Sequence, residues 1–315
     1  MIQKLMKGRL GNQMFQYAVA RALHERNDKN GDLILAFTDR YYNEKNNFKN
    51  ELTDFSLPEF VKFSDSIKLT DTQKKMIDSL EEKKRILHEK YGTDFEEKYI
   101  NYEKEVQPIL NKNGICSMMN CYYPFEINGD CVVLGYLETA KYFDDVRDLI
   151  LKDFTPKHEP IKKNEELYSA IKSSNSVCVS IRRGDFVENE KIKKRHYVCT
   201  EDYFNRAMKT MNEKVENPRY VFFSDDIEWV KDNIKAPKGS LYEDGTDPVW
   251  EKLRLMYNCK HFILSNSTFS WWAQYLSQNK EKVVVAPSIW QRVGYNPDIY
   301  QDNWTLVDVE QERMR

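Results

Sequence analysis

Four short stretches of this chain carry residue types suited to gripping a phosphate-bearing ligand. The first is Ser180-Ile181-Arg182-Arg183-Gly184-Asp185-Phe186. Consecutive guanidinium groups can fork onto phosphate oxygens, and a neighbouring glycine lets backbone approach closely. One arginine pairing with Asp185 or with a neighbour across the loop is the ordinary alternative. It is harder to accept for both, because a strand end is a costly place for two cations without an anion. The second stretch is Ser265-Asn266-Ser267-Thr268-Phe269-Ser270-Trp271-Trp272. Small polar residues between an apolar run and a helical run make an anion site at a helix N-terminus. Plain capping by Ser267 or Thr268 is the commoner use of such residues, and the two uses are compatible.

The third stretch, Gly8-Arg9-Leu10-Gly11-Asn12-Gln13, is a strand-to-helix turn with glycines. It is neither the full dinucleotide fingerprint nor a P-loop. The fourth, Phe223-Ser224-Asp225-Asp226, ends an apolar run on two carboxylates. Such an aspartate can accept hydrogen bonds from the N1–H and N2–H₂ edge of guanine, or cap the helix that follows. There is no Asp-x-Asp and no clustered set of His, Cys and Asp ligands. The expectation is therefore no metal: the arginines and a helix N-terminus supply the countercharge to a diphosphate.

Positioning these stretches requires an α/β framework. Ile2–Met6 reads as a strand, about Asn12–His24 as a helix with Met14, Tyr17, Ala18, Ala22 and Leu23 at helical spacing, and Leu33–Phe37 as the next strand. Residues 64–112 are dense in Glu, Lys and Arg and read as an inserted pair of charged surface helices, a solvated flap. Cys131–Gly135 returns to strand, and Lys141–Leu151 reads as a helix with Tyr142, Val146 and Ile150 on one face. Two prolines among charges in Thr155–Asn164 mark a domain boundary. Beyond it the rhythm restarts, with strands over 176–181, 220–224, 261–265 and 282–286 and helices over 201–211, 227–234, 248–259 and 270–277. Near-continuous apolar strands imply a parallel sheet covered on both faces. The expected division is a domain of 1–158, a second of 159–293 and a tail of 294–315.

A chain of 315 residues suits two domains. With 48 basic against 50 acidic residues, the net charge of −2 gives no reason to expect a nucleic-acid footprint. Apolar residues at 41% and charged residues at 31% describe a soluble globular chain. The six cysteines are scattered without a Cys-x-x-Cys pair, which suggests buried thiols in a reducing compartment. No signal peptide and no run of transmembrane length is visible, so the expectation is a cytoplasmic protein with the option of resting on a membrane surface.

Together the four stretches, with Val284-Val285-Ala286-Pro287-Ser288-Ile289-Trp290, resemble the α-1,2-fucosyltransferases of glycosyltransferase family 11 in their bacterial form. Gly8–Ala18 is similar to that family's N-terminal motif, and Val177–Phe186 to its H-x-R-R-G-D-Y donor motif. The resemblance implies a GT-B fold, two Rossmann-like domains facing across a cleft, with the acceptor on the N-terminal side and GDP-fucose on the C-terminal side. It implies inverting transfer from GDP-β-L-fucose to the 2-hydroxyl of a terminal galactoside, with no metal and no cofactor. The partners implied are thus GDP-fucose and a galactose-terminated glycan. By the same resemblance Arg182 holds the β-phosphate, with Arg183 beside it. Gly11 and Asn12 reach the diphosphate, Asp226 with Asp225 reads guanine, and Asn266, Ser267, Thr268 and Phe269 form the phosphate turn. Ser180 stands where the family has histidine, and Phe186 where it has tyrosine. Ser180 can offer one hydrogen bond but no imidazole. For the base that takes the acceptor proton, Asp185 and Glu190 rank equally. The competing readings are a fucosyltransferase of another linkage and a non-catalytic module that binds a nucleotide sugar or glycan.

Overall fold

The computed structural model describes residues 1–27, 31–43 and 48–309. The chain divides into two compact units. One is Met1–Thr155 with Val293–Tyr300, and the other is Pro156–Arg292 with the segment from Gln301 onward.

The first unit is built on a parallel sheet of β1 (Ile2–Leu5), β2 (Leu33–Ala36), β3 (Val61–Ser64), β4 (Ile115–Ser117) and β5 (Cys131–Leu134), in the order β3-β2-β1-β5-β4. Central β1 is buried and registers Ile2 against Leu33 on one side and Cys131 on the other. Helix α1 (Leu10–Arg26) returns the chain from β1 to β2. It is buried along most of its length, with Phe15, Tyr17 and Leu23 in the core.

Helices α2 (Asp71–Tyr91) and α3 (Phe95–Lys112) occupy the charged stretch. A capping box of Thr70 and Gln73 starts α2. The flap reading needs correcting. Met76, Ile77 and Leu80 of α2 and Tyr102, Val106 and Leu110 of α3 pack on Ile115, Val132 and Leu134. One apolar stripe per helix covers the β4–β5 region while the charges face outward, so the pair is part of the core. The helix expected over Lys141–Leu151 is also broken. Two 3₁₀ turns, Ala140–Tyr142 and Asp144–Val146, precede α4 (Arg147–Asp153). Consecutive Tyr142 and Phe143 are both buried, and Phe143 leaves helical geometry with φ −142°. A regular helix would turn two successive rings about 100° apart, away from one pocket.

The second unit opens with α5 (Glu165–Ser173) and β6 (Asn175–Ile181). There follow α6 (Gly184–Glu188), α7 (Glu190–His196), α8 (Glu201–Lys214), β7 (Pro218–Ser224), α9 (Ile227–Asn233), β8 (Leu241–Tyr242) and α10 (Val249–Tyr257). β9 (His261–Ile263), α11 (Thr268–Leu276), β10 (Val284–Pro287) and β11 (Thr305–Val307) complete it. The sheet order is β11-β10-β9-β6-β7-β8, parallel throughout. The chain winds from central β6 to one edge and then from β9 to the other. This is the doubly wound Rossmann order, and its direction reverses between β6 and β9. Val177, Val179, Phe222, Ile263 and Val285 of the sheet pack with Tyr203, Phe204 and Met208 of α8.

Residues 294–315, read from the sequence as a tail, are divided between the units. Val293–Tyr300 packs with the first, where Lys141 Nζ meets Asp298 at 2.8 Å, and β11 joins the second sheet with Val285 opposite Thr305. Residues 310–315 lie outside the described residues. Two Rossmann-like α/β units with parallel sheets are the GT-B class of architecture expected from the sequence. All six cysteines are buried free thiols. Among the described residues no helix is long and apolar enough to cross a membrane.

Candidate functional site

Because β6 and β7 run parallel with Ile181 opposite Ser224, the residues that follow them emerge side by side. Arg182 and Arg183 therefore leave the sheet next to Asp225 and Asp226. Arg182 Nη2 donates to Asp185 Oδ1 at 2.5 Å, and its Nη1 lies 2.5 Å from Asp225 Oδ2. The Arg183 N–H donates to Asp225 Oδ1 at 2.8 Å, and Arg183 Nε to Asp226 Oδ2 at 3.1 Å. The Arg183 guanidinium also lies 3.4 Å above the Trp229 ring, a cation–π contact that sequence reading missed. Gly184 has φ +25°, and a Cβ there would sit 2.7 Å from Asp225 Oδ2, so a side chain would push that carboxylate aside.

The expectation that two arginines at a strand end lack protein anions is thus corrected. Three aspartates supply the anions, and the arginine side chains are only 22% and 14% exposed. Compensation of this kind is what makes a half-buried pair of cations tolerable. Asp226 also caps α9, accepting the Trp229 N–H at 3.3 Å, so its cap and ion-pair roles coexist.

β9 ends at the reversal point, and its exit turn runs against β6. The Ser265 N–H donates to Ser180 O at 3.1 Å. Ser180 Oγ and Ser265 Oγ both meet Ser270 Oγ, at 2.6 and 2.9 Å, in a buried hydroxyl chain. The Ser180 hydroxyl is therefore engaged in fastening β6 to α11. Asn266, 3% exposed, donates its amide to His196 O and Trp290 O at 2.7 and 2.9 Å. It is a brace for the turn. Ser267 accepts the Phe269 N–H at 3.3 Å and caps α11, whose first residues are Thr268 and Phe269. The helix is anchored by Trp271, Trp272 and Tyr275, fully or nearly fully buried.

The loop after the arginines forms α6 and α7. Phe186 stacks on His196 with centroids 5.3 Å apart, and the Arg182 guanidinium is 5.8 Å from the Phe186 ring. Burial, then the neighbouring Arg195, pushes His196 down to about 4, against the pull of Asp185. The unfolded chain takes up this proton near its ordinary value of 6.5 and the folded chain near 4. This contribution to stability is whole above about pH 6.5, declines as pH falls toward 4, and then levels. His196→Gln should flatten that part of the profile in urea denaturation at stepped pH, whereas an unchanged slope would show that His196 titrates normally. Glu190 does not join the arginine–aspartate cluster. Its side chain is 77% exposed on α7 and lies 3.7 Å from Lys193. Of the two candidate bases, Asp185 is bound by Arg182 and Glu190 faces solvent.

In the first unit Gly11 and Asn12 lie in the opening turn of α1, with Gly11 buried and Asn12 half-buried. The Leu10 N–H is taken by Glu51 Oε2 at 2.8 Å. Gln13 donates to Gly8 O and Lys49 O at 2.9 and 2.8 Å and accepts the Glu51 N–H. Gln16 clasps both backbone groups of Lys7. The glutamines of this motif are fasteners, and their partners at 49–51 have no local signal in sequence. The sequence also showed no clustered ligands, but the turn after β8 gathers Glu243, Asp244 and Asp247 within 4.8 Å. Lys163 meets Asp244 and Asp247, and Lys252 meets Glu243, each at 3.0 Å. Two lysines offset most of the charge of the three carboxylates, and Lys252 also donates to Ser224 O at 3.2 Å, tying β7 to this turn.

Comparison with known proteins agrees with this fold. Residues 1–308 match the family described as glycosyl transferase family 11. The chain is 27% identical over 311 residues to an O-antigen biosynthesis glycosyltransferase of Escherichia coli, WbnK, covering 95% of this chain and 98% of that one. It is 31% identical over 194 residues to an alpha-1,2-colitosyltransferase of Escherichia coli, covering 58% of this chain and 64% of that one. Among solved structures, the NodZ alpha-1,6-fucosyltransferase soaked with GDP-fucose superposes with a TM-score of 0.54 at 11% identity, covering 94% of this chain and 99% of that one.

Proposed function

The chain belongs to glycosyl transferase family 11, and from that membership we propose that it moves L-fucose from GDP-β-L-fucose to the 2-hydroxyl of a terminal galactoside, with inversion and without a metal ion. The observation that carries this reading is the reversal point of the second sheet. There, Arg182 and Arg183 leave β6 while the turn opening α11 leaves β9. Ligands of open α/β sheets bind outside the carboxyl ends of the strands, at such a reversal.

The acceptor oxygen bonds to the anomeric carbon of fucose as the bond from that carbon to the β-phosphate oxygen breaks. Its electron pair leaves on GDP, and the hydroxyl proton passes to a base or to solvent. Charge grows on the β-phosphate while the sugar becomes oxocarbenium-like. Arg182 and the N–H groups that open α11 meet that charge more strongly in the transition state than before it, which is the part of binding that accelerates the step. The aspartates that grip Arg182 hold it in place beforehand. Asp185 is occupied by Arg182 and Glu190 faces solvent, which suits a dissociative path needing only a weak base. Asp226 and Asp225 present carboxylate oxygens with lone pairs to spare for the N1–H and N2–H₂ edge of guanine.

A donor site of this kind is tested by calorimetry. GDP should bind, and ADP and UDP should bind far more weakly, because neither base offers the paired donors a carboxylate edge accepts. Equal binding of all three would remove the guanine assignment. Transfer should persist in excess EDTA, since cations of the chain itself serve the diphosphate. A loss that Mg²⁺ or Mn²⁺ restores would contradict the metal-free reading. The relative named as a colitosyltransferase favours a second reading, transfer of colitose, which is fucose without its 3-hydroxyl. Paired rates with the two GDP-sugars separate them.

A further inference from the structure

Two of the aspartates that grip the arginine pair stand on the exit of β7, and that exit has a support of its own. Along a strand the carbonyl groups point alternately to one side and the other. Phe222 O points toward β8 and accepts the Glu243 N–H at 3.0 Å. Ser224 O, two residues on, points to the same side, but β8 pairs only with Val221 and Phe222. The ladder ends before Ser224, which is 4% exposed. A buried carbonyl without a donor costs as much as a lost hydrogen bond. Lys252 of α10 supplies the donor: its ammonium lies 3.2 Å from Ser224 O.

The ammonium is itself held in place. Its other partner is the Glu243 carboxylate, at 3.0 Å. The Glu243 side chain is fully buried and folds back into its own turn, where Oε1 takes the N–H groups of Gly245 and Asp247 at 3.0 and 3.3 Å. The Lys252 side chain is only 14% exposed, so solvent ions do little to screen the pair. The Ser224 carbonyl belongs to the planar peptide group that leads into Asp225. The next peptide group, between Asp225 and Asp226, is held by its N–H, which donates to Ser224 Oγ at 3.0 Å. Both peptide planes that flank Asp225 are thus pinned, one by Lys252 and one by the Ser224 hydroxyl. With its two flanking planes fixed, the direction in which Asp225 leaves the backbone is fixed too.

We propose that Lys252 is a positioning residue of the nucleotide site, which aims the Asp225 and Asp226 carboxylates by holding the Ser224 carbonyl. It acts through Ser224, on the aspartates and through them on the arginines. A carboxylate accepts the paired donors of a guanine edge only when its oxygens are correctly aimed. Loss of that aim costs GDP more than it costs UDP, whose base offers no such pair. This consequence rests on the guanine reading above, whereas the positioning itself does not.

The informative variant is Lys252→Met with Glu243→Gln, which removes both members of the ion pair and leaves no buried charge alone. Lys252→Arg keeps a cation. Lys163→Met is the control, because Lys163 pairs with Asp244 and Asp247 in the same turn without meeting Ser224. The first measurement uses the full chain without nucleotide and reads the ¹⁵N NMR signal of the Arg183 Nε–H, which Asp226 holds at 3.1 Å. Its exchange with water should quicken about tenfold in the double variant, at an unchanged far-UV spectrum. Lys252→Arg and Lys163→Met should exchange as the wild type does. The second measurement is calorimetry with GDP and with UDP. The preference for GDP should narrow about tenfold in the double variant, the effect of losing one hydrogen bond from a charged group. Unchanged Arg183 exchange in the folded double variant, equal quickening in Lys163→Met, or an undiminished preference for GDP would overturn the proposal. If exchange quickens as expected but the wild type binds GDP and UDP alike, the guanine reading falls and the positioning role stands.

Discussion

Arg182→Ala is expected to reduce transfer by about a hundredfold or more, the loss seen when one charged contact to a developing oxyanion is removed. Arg182→Lys is expected to fail as well, because an ammonium cannot fork onto two phosphate oxygens. The structure adds a complication that the experiment must separate. Removing the guanidinium leaves Asp185 and Asp225 facing each other without their shared cation. Part of the effect is therefore on stability. Both carboxylates are partly exposed, so water relieves much of that repulsion. The triple variant Arg182→Ala, Asp185→Asn, Asp225→Asn removes the repulsion altogether. It should regain the thermal midpoint without regaining kcat/KM. A folded Arg182→Ala protein with more than a tenth of wild-type activity would show that this arginine does not serve the leaving group.

Gly135→Ala is expected to have the largest effect on folding. Gly135 has φ +92°, and a Cβ there would lie 1.9 Å from the backbone oxygen of Met118. Backbone cannot swing aside as a side-chain tip can, and Gly135 O is at the same time held by Lys4. The strand exit must move, with a loss on the order of 4 kcal/mol or a chain that does not fold. Gly239 is the internal control. It has φ +87° with nothing within 4 Å of a Cβ. Gly239→Ala should lose only the left-handed penalty, about 1 kcal/mol. Urea midpoints of the two variants compare them directly, and equal losses would show that the contact with Met118 is not what makes Gly135 necessary.

Much of this architecture is legible in the sequence because its signals are local. Val177–Ile181 is apolar but for Ser180, and a glycine or small polar turn follows each of β1, β6 and β9. The strands that escape notice are short, half-exposed or both: β8 has two residues, and Val61–Ser64 of β3 faces outward in part. The α2–α3 pair hides its core stripe because charges outnumber apolar residues along α2 and match them along α3, although Leu80 and Leu110 are buried. Within the site, the strand-end arginines and the cap of α11 can be read locally. Their partners cannot. Asp225 and Asp226 reach the arginines only through the parallel register of Ile181 with Ser224, and Trp229 lies one helical turn farther on. Ser180 looks like a donor contact in the motif and is engaged by Ser270, 90 residues away, for a reason only the fold supplies.

The most direct test of the account is to incubate the protein with GDP-β-L-fucose and a β-galactoside in EDTA and to read the product by NMR. The account predicts GDP release and a new fucose residue whose anomeric proton has the α configuration, correlated across the glycosidic bond to C2 of galactose. Retention of the β configuration, linkage to another carbon, or no transfer from a GDP-sugar to any galactoside would contradict it.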